Sequence, residues 1–338
     1  MTDWLNLTDA QRKTSIDQAA ITSGINSKSI EKDWWVTLTL KALFQTEYAQ
    51  FLVFKGGTSL SKCWKVIQRF SEDIDIVIDT ELFGIPYVDE PTKSYLSRLK
   101  KKGCKFTSNE LKKAIEKQFI ELGVTEGTLE IIAEDVDPTM TDKDPQTLFI
   151  KYKSLYDPNP YLADQVKVEV GVRSKIEPYT RKEVQSILTE VYPNDVYPEK
   201  PFTVQVVETH KTFLEKAFLL HEEFKKPNRH KIRTERMSRH FYDLEKLMDT
   251  EACKKALADQ DLYATIIHHR AQYNKLNGID YTLLNRITIC FVPPEEFVEG
   301  YLSDYATMRE HMIYGESLEP IKLFERISEL QKRFNSFE

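Results

Sequence analysis

The stretch FLVFKGGTSLSKCWKVIQRFSEDIDIVI, Phe51 to Ile78, changes its residue period repeatedly within 28 residues. Phe51-Leu52-Val53-Phe54 is a short apolar run suited to a buried strand. Lys55-Gly56-Gly57 breaks the run, because paired glycines permit a tight turn and let another group approach the backbone closely. From Thr58 the spacing turns helical, with Leu60, Cys63 or Trp64, and Ile67 on one face and Thr58 or Ser59 as N-cap. Ser71 to Ile78 then reads as a second strand. Alternate strand residues share a face, so Ile74, Ile76 and Ile78 point into a core while Asp73 and Asp75 point out together. Two neighbouring carboxylates on a rigid strand repel unless a cation sits between them, and hard oxygen ligands suit Mg²⁺ or Mn²⁺. Each feature alone is ambiguous: Asp-x-Asp is usually a solvated strand face, and Gly-Gly is often only a turn. Together and in this order they describe what metal-dependent phosphate transfer requires, a turn and helix start for phosphate oxygens beside aspartates for the metal.

Composition narrows the setting. A chain of 338 residues can bury a sizeable core and is expected to form two packed lobes. Apolar content of 41% and charged content of 30% are those of an ordinary soluble globular protein. The formal net charge of -6 excludes a uniformly basic coat, so any nucleic-acid contact must come from local patches. The N-terminal MTDWLNLTDAQRK lacks the apolar core of a signal peptide, and no apolar run approaches the roughly 20 residues that span a bilayer. Cys63, Cys104, Cys253 and Cys290 are scattered without a C-x-x-C pair, which indicates neither a zinc site nor a disulfide framework. These features predict a cytoplasmic protein with no membrane partner.

Further segments take their places around the opening stretch. Thr8 with Gln11 makes a capping box for a first helix that runs to Gly24. A second helix starts at Ser27 or Ser29, with Ile30, Trp34, Leu38 and Ala42 as its core stripe and Glu31, Lys32 and Asp33 on a solvated face. Thr92 to Phe119 is helical in composition and carries Arg98, Lys100, Lys101, Lys102, Lys105, Lys112, Lys113 and Lys117. Such a run is either a solvated face or a contact for a phosphate backbone. Three extended runs, 128–133, 147–152 and 166–172, predict further strands of one sheet. In the third, Val166, Val168 and Val170 face one way, and Lys167 and Glu169 the other. Glu169 then either pairs with Lys167 on an exposed face or, on a strand beside Asp73 and Asp75, adds a third carboxylate. From Glu208 the period is helical, with Phe213, Ala217 and Leu220 on one face and Lys216 at its border. Lys216 either snorkels to solvent or reaches a triphosphate as a point charge. Arg239 and Asp243 stand one helical turn apart and are able to pair. Lys225 to Arg233 is expected to be a mobile basic loop.

Gly56-Gly57-Thr58-Ser59-Leu60-Ser61-Lys62 followed by Ser71-Glu72-Asp73-Ile74-Asp75 resembles the nucleotidyltransferase superfamily, and within it the AbiEii/AbiGii toxins of bacterial toxin–antitoxin and abortive-infection systems. Lys167 to Ser174 with Glu177-Pro178, Thr212 to Lys216, and Arg239 to Leu244 resemble the later motifs of that family, in family order. The resemblance implies an α+β protein: a nucleotidyltransferase-fold mixed sheet flanked by helices over residues 1–207, then a helical C-terminal lobe over 208–338, with the active-site cleft between them. It implies Asp73, Asp75 and Glu169 as metal ligands for Mg²⁺ or Mn²⁺, and Lys216 and Asp243 as further catalytic residues. Gly56, Gly57, Thr58, Ser59, Lys62, Ser71, Lys167 and Arg239 would hold the nucleoside triphosphate. The implied reaction moves a nucleoside monophosphate to an acceptor hydroxyl, with the 3′ end of tRNA or another RNA as acceptor and a cognate antitoxin as partner. A small molecule or a protein as acceptor is a second reading. A non-catalytic binding module that retains the fold is a third.

Overall fold

The computed structural model describes residues 2–136, 144–158, 162–192 and 199–336. The chain divides into two compact units, one made of residues 1–63 and 70–207, the other of 64–69 and 208–338.

The first unit is built on a seven-stranded mixed sheet in the order β3-β4-β5-β2-β1-β7-β6. Its strands are β1 (Leu52–Lys55), β2 (Asp73–Ile78), β3 (Leu129–Ala133), β4 (Gln146–Tyr152), β5 (Gln165–Gly171), β6 (Tyr179–Val184) and β7 (Phe202–Val207). β2 sits centrally, antiparallel to β1 and parallel to β5. Helices α1 (Asp9–Ser23), α2 (Ser27–Leu43), α3 (Gly56–Lys62), α4 (Lys93–Phe106), α5 (Lys112–Glu121) and α6 (Ile187–Val191) accompany the sheet. α1 starts at the Thr8–Gln11 capping box and stops at a left-handed Gly24, as the sequence predicts. The predicted stripe of α2, Ile30, Trp34, Leu38 and Ala42, is fully buried.

α2 starts at Ser27, as expected, with Asn26 as its N-cap. Two local expectations are corrected. Glu31, Lys32 and Asp33 are buried rather than solvated. Each has a partner that only the fold brings near: Glu31 accepts from Ser154 and the Leu155 N–H, Lys32 meets Glu72 at 2.6 Å, and Asp33 meets Lys62. α3 starts at Gly56 with Lys55 as N-cap and ends at Lys62, short of the expected Ile67.

The second unit is helical: α7 (Thr209–Phe224), α8 (Ser238–Leu247), α9 (Glu251–Ala258), α10 (Gln260–His269), α11 (Val298–His311) and α12 (Pro320–Ser336). Its core is aromatic, with Phe213, Phe218, Phe241, Phe291, Tyr301 and Phe334 buried. Trp64–Arg69 belongs to this unit. Arg69 bridges Ile313, Gln68 accepts from the Tyr314 N–H at 3.1 Å, and Ile67 is buried. Lys65 turns through a left-handed φ of 56°, which no continuing helix permits. The basic segment before α8 is anchored, since Glu223 binds both Lys226 and Arg233.

Candidate functional site

In the first unit the strand registers gather the predicted polar residues on one sheet face. Lys55 stands opposite Asp75, Asp75 opposite Glu169, and Glu169 opposite Thr147, one row across β1, β2, β5 and β4. The next row holds Asp73, Lys167 and Phe149. Directly opposed residues share a face, so two carboxylates of β2 and one of β5 project together with two lysines. Beneath them Ile74, Ile76, Val166, Val168 and Val170 are buried, which fixes the outward register.

The glycine turn lies against this row. A Cβ built on Gly56 would come within 2.0 Å of Asp75 Oδ2, and Gly56 has φ +81°. Glycine is needed there twice over, for the backbone conformation and for the carboxylate that rests on it. α3 is fastened to β2 by Thr58, whose hydroxyl donates to the Asp73 carbonyl and lies 2.9 Å from Ser71 Oγ. The Ser59 hydroxyl donates to the Gly56 carbonyl at 2.8 Å. Lys62 is buried with Asp33. Thr58, Ser59 and Lys62 therefore shape the turn from below.

Asp73, Asp75 and Glu169 offer hard carboxylate oxygens, the donor set that Mg²⁺ and Mn²⁺ prefer. The register suits a shared cation as well, with Asp75 and Glu169 on paired positions. Among the described residues, however, no three His, Cys, Asp or Glu side chains converge closely enough to hold a metal ion. Glu169 is taken by the Lys167 ammonium at 2.7 Å, half-exposed at the surface. Burial alone would lower the Lys167 pKa, but the hydrogen bond and charge of Glu169, with Asp73 and Asp75, hold it above the ordinary lysine value.

The remaining predicted residues fall in the second unit. Asp243 on α8 has no exposed surface. It receives Lys216 of α7 at 2.8 Å, and Arg69 in a two-pronged contact with Nε at 2.7 Å and Nη2 at 2.8 Å. Burial would raise the Asp243 pKa, but the two cations outweigh it and hold the carboxyl well below the usual carboxylate range. Lys216 is shifted down by burial, only partly offset by Asp243, with Arg69 and Arg239 adding to the fall. One carboxylate is thus shared between two cations. Beside them His240 is buried with no partner at Nδ1, and burial plus the charges of Lys216 and Arg239 hold it neutral.

The sequence did not point to Arg69. It sits two residues before Ser71 in a segment of helical spacing, so nothing in the period marks it as a partner of a residue 174 positions later. Lys55 and Thr147 were also unmarked, because only the strand register puts them in the row of Asp75.

Residues 39–333 match a family model described as nucleotidyl transferase AbiEii toxin, type IV TA system. No curated protein matches the chain.

Proposed function

The chain belongs to the AbiEii family of nucleotidyl transferase toxins of type IV toxin–antitoxin systems, and from that premise we propose that it moves a nucleoside monophosphate from a nucleoside triphosphate to an acceptor hydroxyl, the 3′ end of tRNA. The mixed sheet with its helices is consistent with a nucleotidyltransferase-type fold, and the family implies a cognate antitoxin as partner. The observation that carries the proposal is the Asp75 carboxylate resting on the Gly56 turn, in one row with Glu169 and next to Asp73. That row sets carboxylates beside a glycine turn, a backbone that another group is able to approach closely.

Asp73, Asp75 and Glu169 would hold a divalent ion by drawing closer together than they stand here, and the ion would supply charge neutralisation at the phosphate in transfer. Gly56 and Gly57 present backbone without side chains to the phosphate oxygens. Thr58 and Ser59 keep that turn in shape through their hydroxyls, and Ser71 meets Thr58 at the root of β2. Lys167 holds Glu169 and contributes positive charge for the phosphates. In the helical unit Lys216, held by Asp243 at 2.8 Å, is proposed as a catalytic cation, with Arg239 as a further binding cation. The acceptor hydroxyl attacks in line and pyrophosphate leaves.

The test is direct. The protein is incubated with each labelled nucleoside triphosphate, Mg²⁺ and total cellular RNA, beside Asp75→Asn. A labelled tRNA band that disappears in Asp75→Asn, and on chelation of the metal, is the expected result. Label on protein or on a small molecule would replace the acceptor, and equal labelling by Asp75→Asn would remove the site.

A further inference from the structure

α4 and α5 hold a charge imbalance that the reaction centre does not use. From Lys93 to Glu121 there are nine lysines or arginines against three glutamates, a local +6 in a chain whose total is -6. In α5 the charges are partly self-compensated, Lys112 with Glu116 and Lys117 with Glu121, each one turn apart. α4 is different. Arg98, Lys101, Lys102 and Lys105 are all exposed. On a helix of 3.6 residues per turn they fall within an arc of about 100° and spread over roughly 10 Å of axis. Leu99, Gly103 and Phe106 occupy the buried face.

Among the described residues none of the four is paired with a carboxylate. Lys102 donates to the Phe83 carbonyl at 3.2 Å, and Arg98 lies 5.9 Å from the Tyr95 ring centre. Neither contact cancels a charge. Arg98 with Lys102, and Lys101 with Lys105, are like-charge pairs four residues apart, an arrangement that costs a helix stability. A row kept in that form suits a polyanion laid along it.

We infer that this face of α4 binds the phosphate backbone of the acceptor RNA. The inference rests on the RNA-acceptor reading given above and adds where the RNA is held. Composition favours nucleic acid over an acidic protein surface: the row is mostly lysine, which protein interfaces disfavour, and it has no buried apolar anchor. Contacts of this kind carry no base information, so binding is insensitive to sequence and falls steeply with salt.

The experiment compares the full chain with the fourfold variant Arg98→Gln, Lys101→Gln, Lys102→Gln, Lys105→Gln. Binding of labelled tRNA is followed across a salt series by fluorescence anisotropy, with thermal melting as the control. Glutamine keeps helix propensity and removes the like-charge repulsion, so the melting temperature is expected to hold or rise. Affinity should fall at least about tenfold at low salt, and the slope of log affinity against log salt should shrink by about 3, near 0.7–0.9 for each phosphate that the variant no longer neutralises. Equal affinity and an equal slope in the variant overturn the inference and leave the RNA acceptor standing. Impaired antitoxin binding with RNA binding kept also overturns it and gives the face to the protein partner. A wild-type chain that neither binds nor labels RNA removes the acceptor reading itself, and this face with it.

Discussion

Gly56 and Asp75 constrain each other. Gly56→Ala asks an alanine to take φ +81° and to place a methyl 2.0 Å from the Asp75 carboxylate. The backbone penalty alone is about 1–2 kcal/mol, and the clash adds to it. Gly56→Ala should therefore lower the melting temperature and abolish labelling. The double variant with Asp75→Ala should recover part of the stability and none of the activity. No recovery in the double variant would mean that the two residues are independent. Asp243 makes the matching case in the helical unit. Asp243→Asn leaves Arg69 and Lys216 buried without their counter-charge, at a cost of about 3–5 kcal/mol, to be read from urea unfolding. A loss below about 1 kcal/mol, the scale of an exposed pair, would show that the two cations relax to solvent. Because Lys216 pairs with Asp243, Lys216→Met should also lower stability, so nucleotide affinity has to be compared at temperatures well below both melting points.

At the scale of elements, α2 acts as a spine with three consecutive ionisable side chains turned inward. Glu31 holds the loop after β4, Lys32 holds Glu72 at the start of β2, and Asp33 holds Lys62 at the end of α3 and the Ile187 N–H at the start of α6. Lys32→Met should cost about 3 kcal/mol through the stranded Glu72, and adding Glu72→Gln should restore much of it. Additive losses in that double-mutant cycle would reject the pairing. This spine also marks where the sequence stopped being legible. Apolar period two foretold β2, β4 and β5, and the stripe of α2 was plain, because burial of alternate or every fourth residue leaves a repeating trace. β6, whose exposed edge reads Tyr179-Thr-Arg-Lys-Glu-Val184, has no such trace and was not foreseen. Charged residues read as solvated for want of visible partners. The partners of Lys32 and Asp33 lie 40 and 29 positions away, a distance that only folding closes. The face shared by Asp73, Asp75, Lys167 and Glu169 was legible because it follows from alternation, and Arg69 was not because its partner Asp243 lies 174 positions away.

Across the whole molecule two measurements bear on behaviour in the cell. His221 has no exposed surface and accepts from the Cys290 N–H at 3.0 Å, and burial with the nearby Lys225 pushes its pKa down to about 4. Between that value and the ordinary one the unfolded chain binds more protons, so stability rises with pH through this window and is lost as pH falls through it. About 2 kcal/mol should disappear between pH 7 and pH 5, and His221→Gln should flatten that slope in urea titrations. A wild-type slope unchanged in the variant would assign the loss to other groups. Expression of the chain without its antitoxin should slow growth while Asp73→Asn does not, and equal growth of the two strains would argue against toxicity through this site. Trp64–Arg69 has a last consequence, for modularity. The chain leaves the sheet unit after α3, contributes six residues to the helical unit and returns at β2. A fragment ending at Val207 would carry Ile67 and Arg69 with nothing to bury them, and a fragment starting at Glu208 would leave Asp243 without its guanidinium. Neither half is therefore a separable cassette: recombination could not exchange one of them between relatives by a single crossover at the junction, and the two are inherited as one piece.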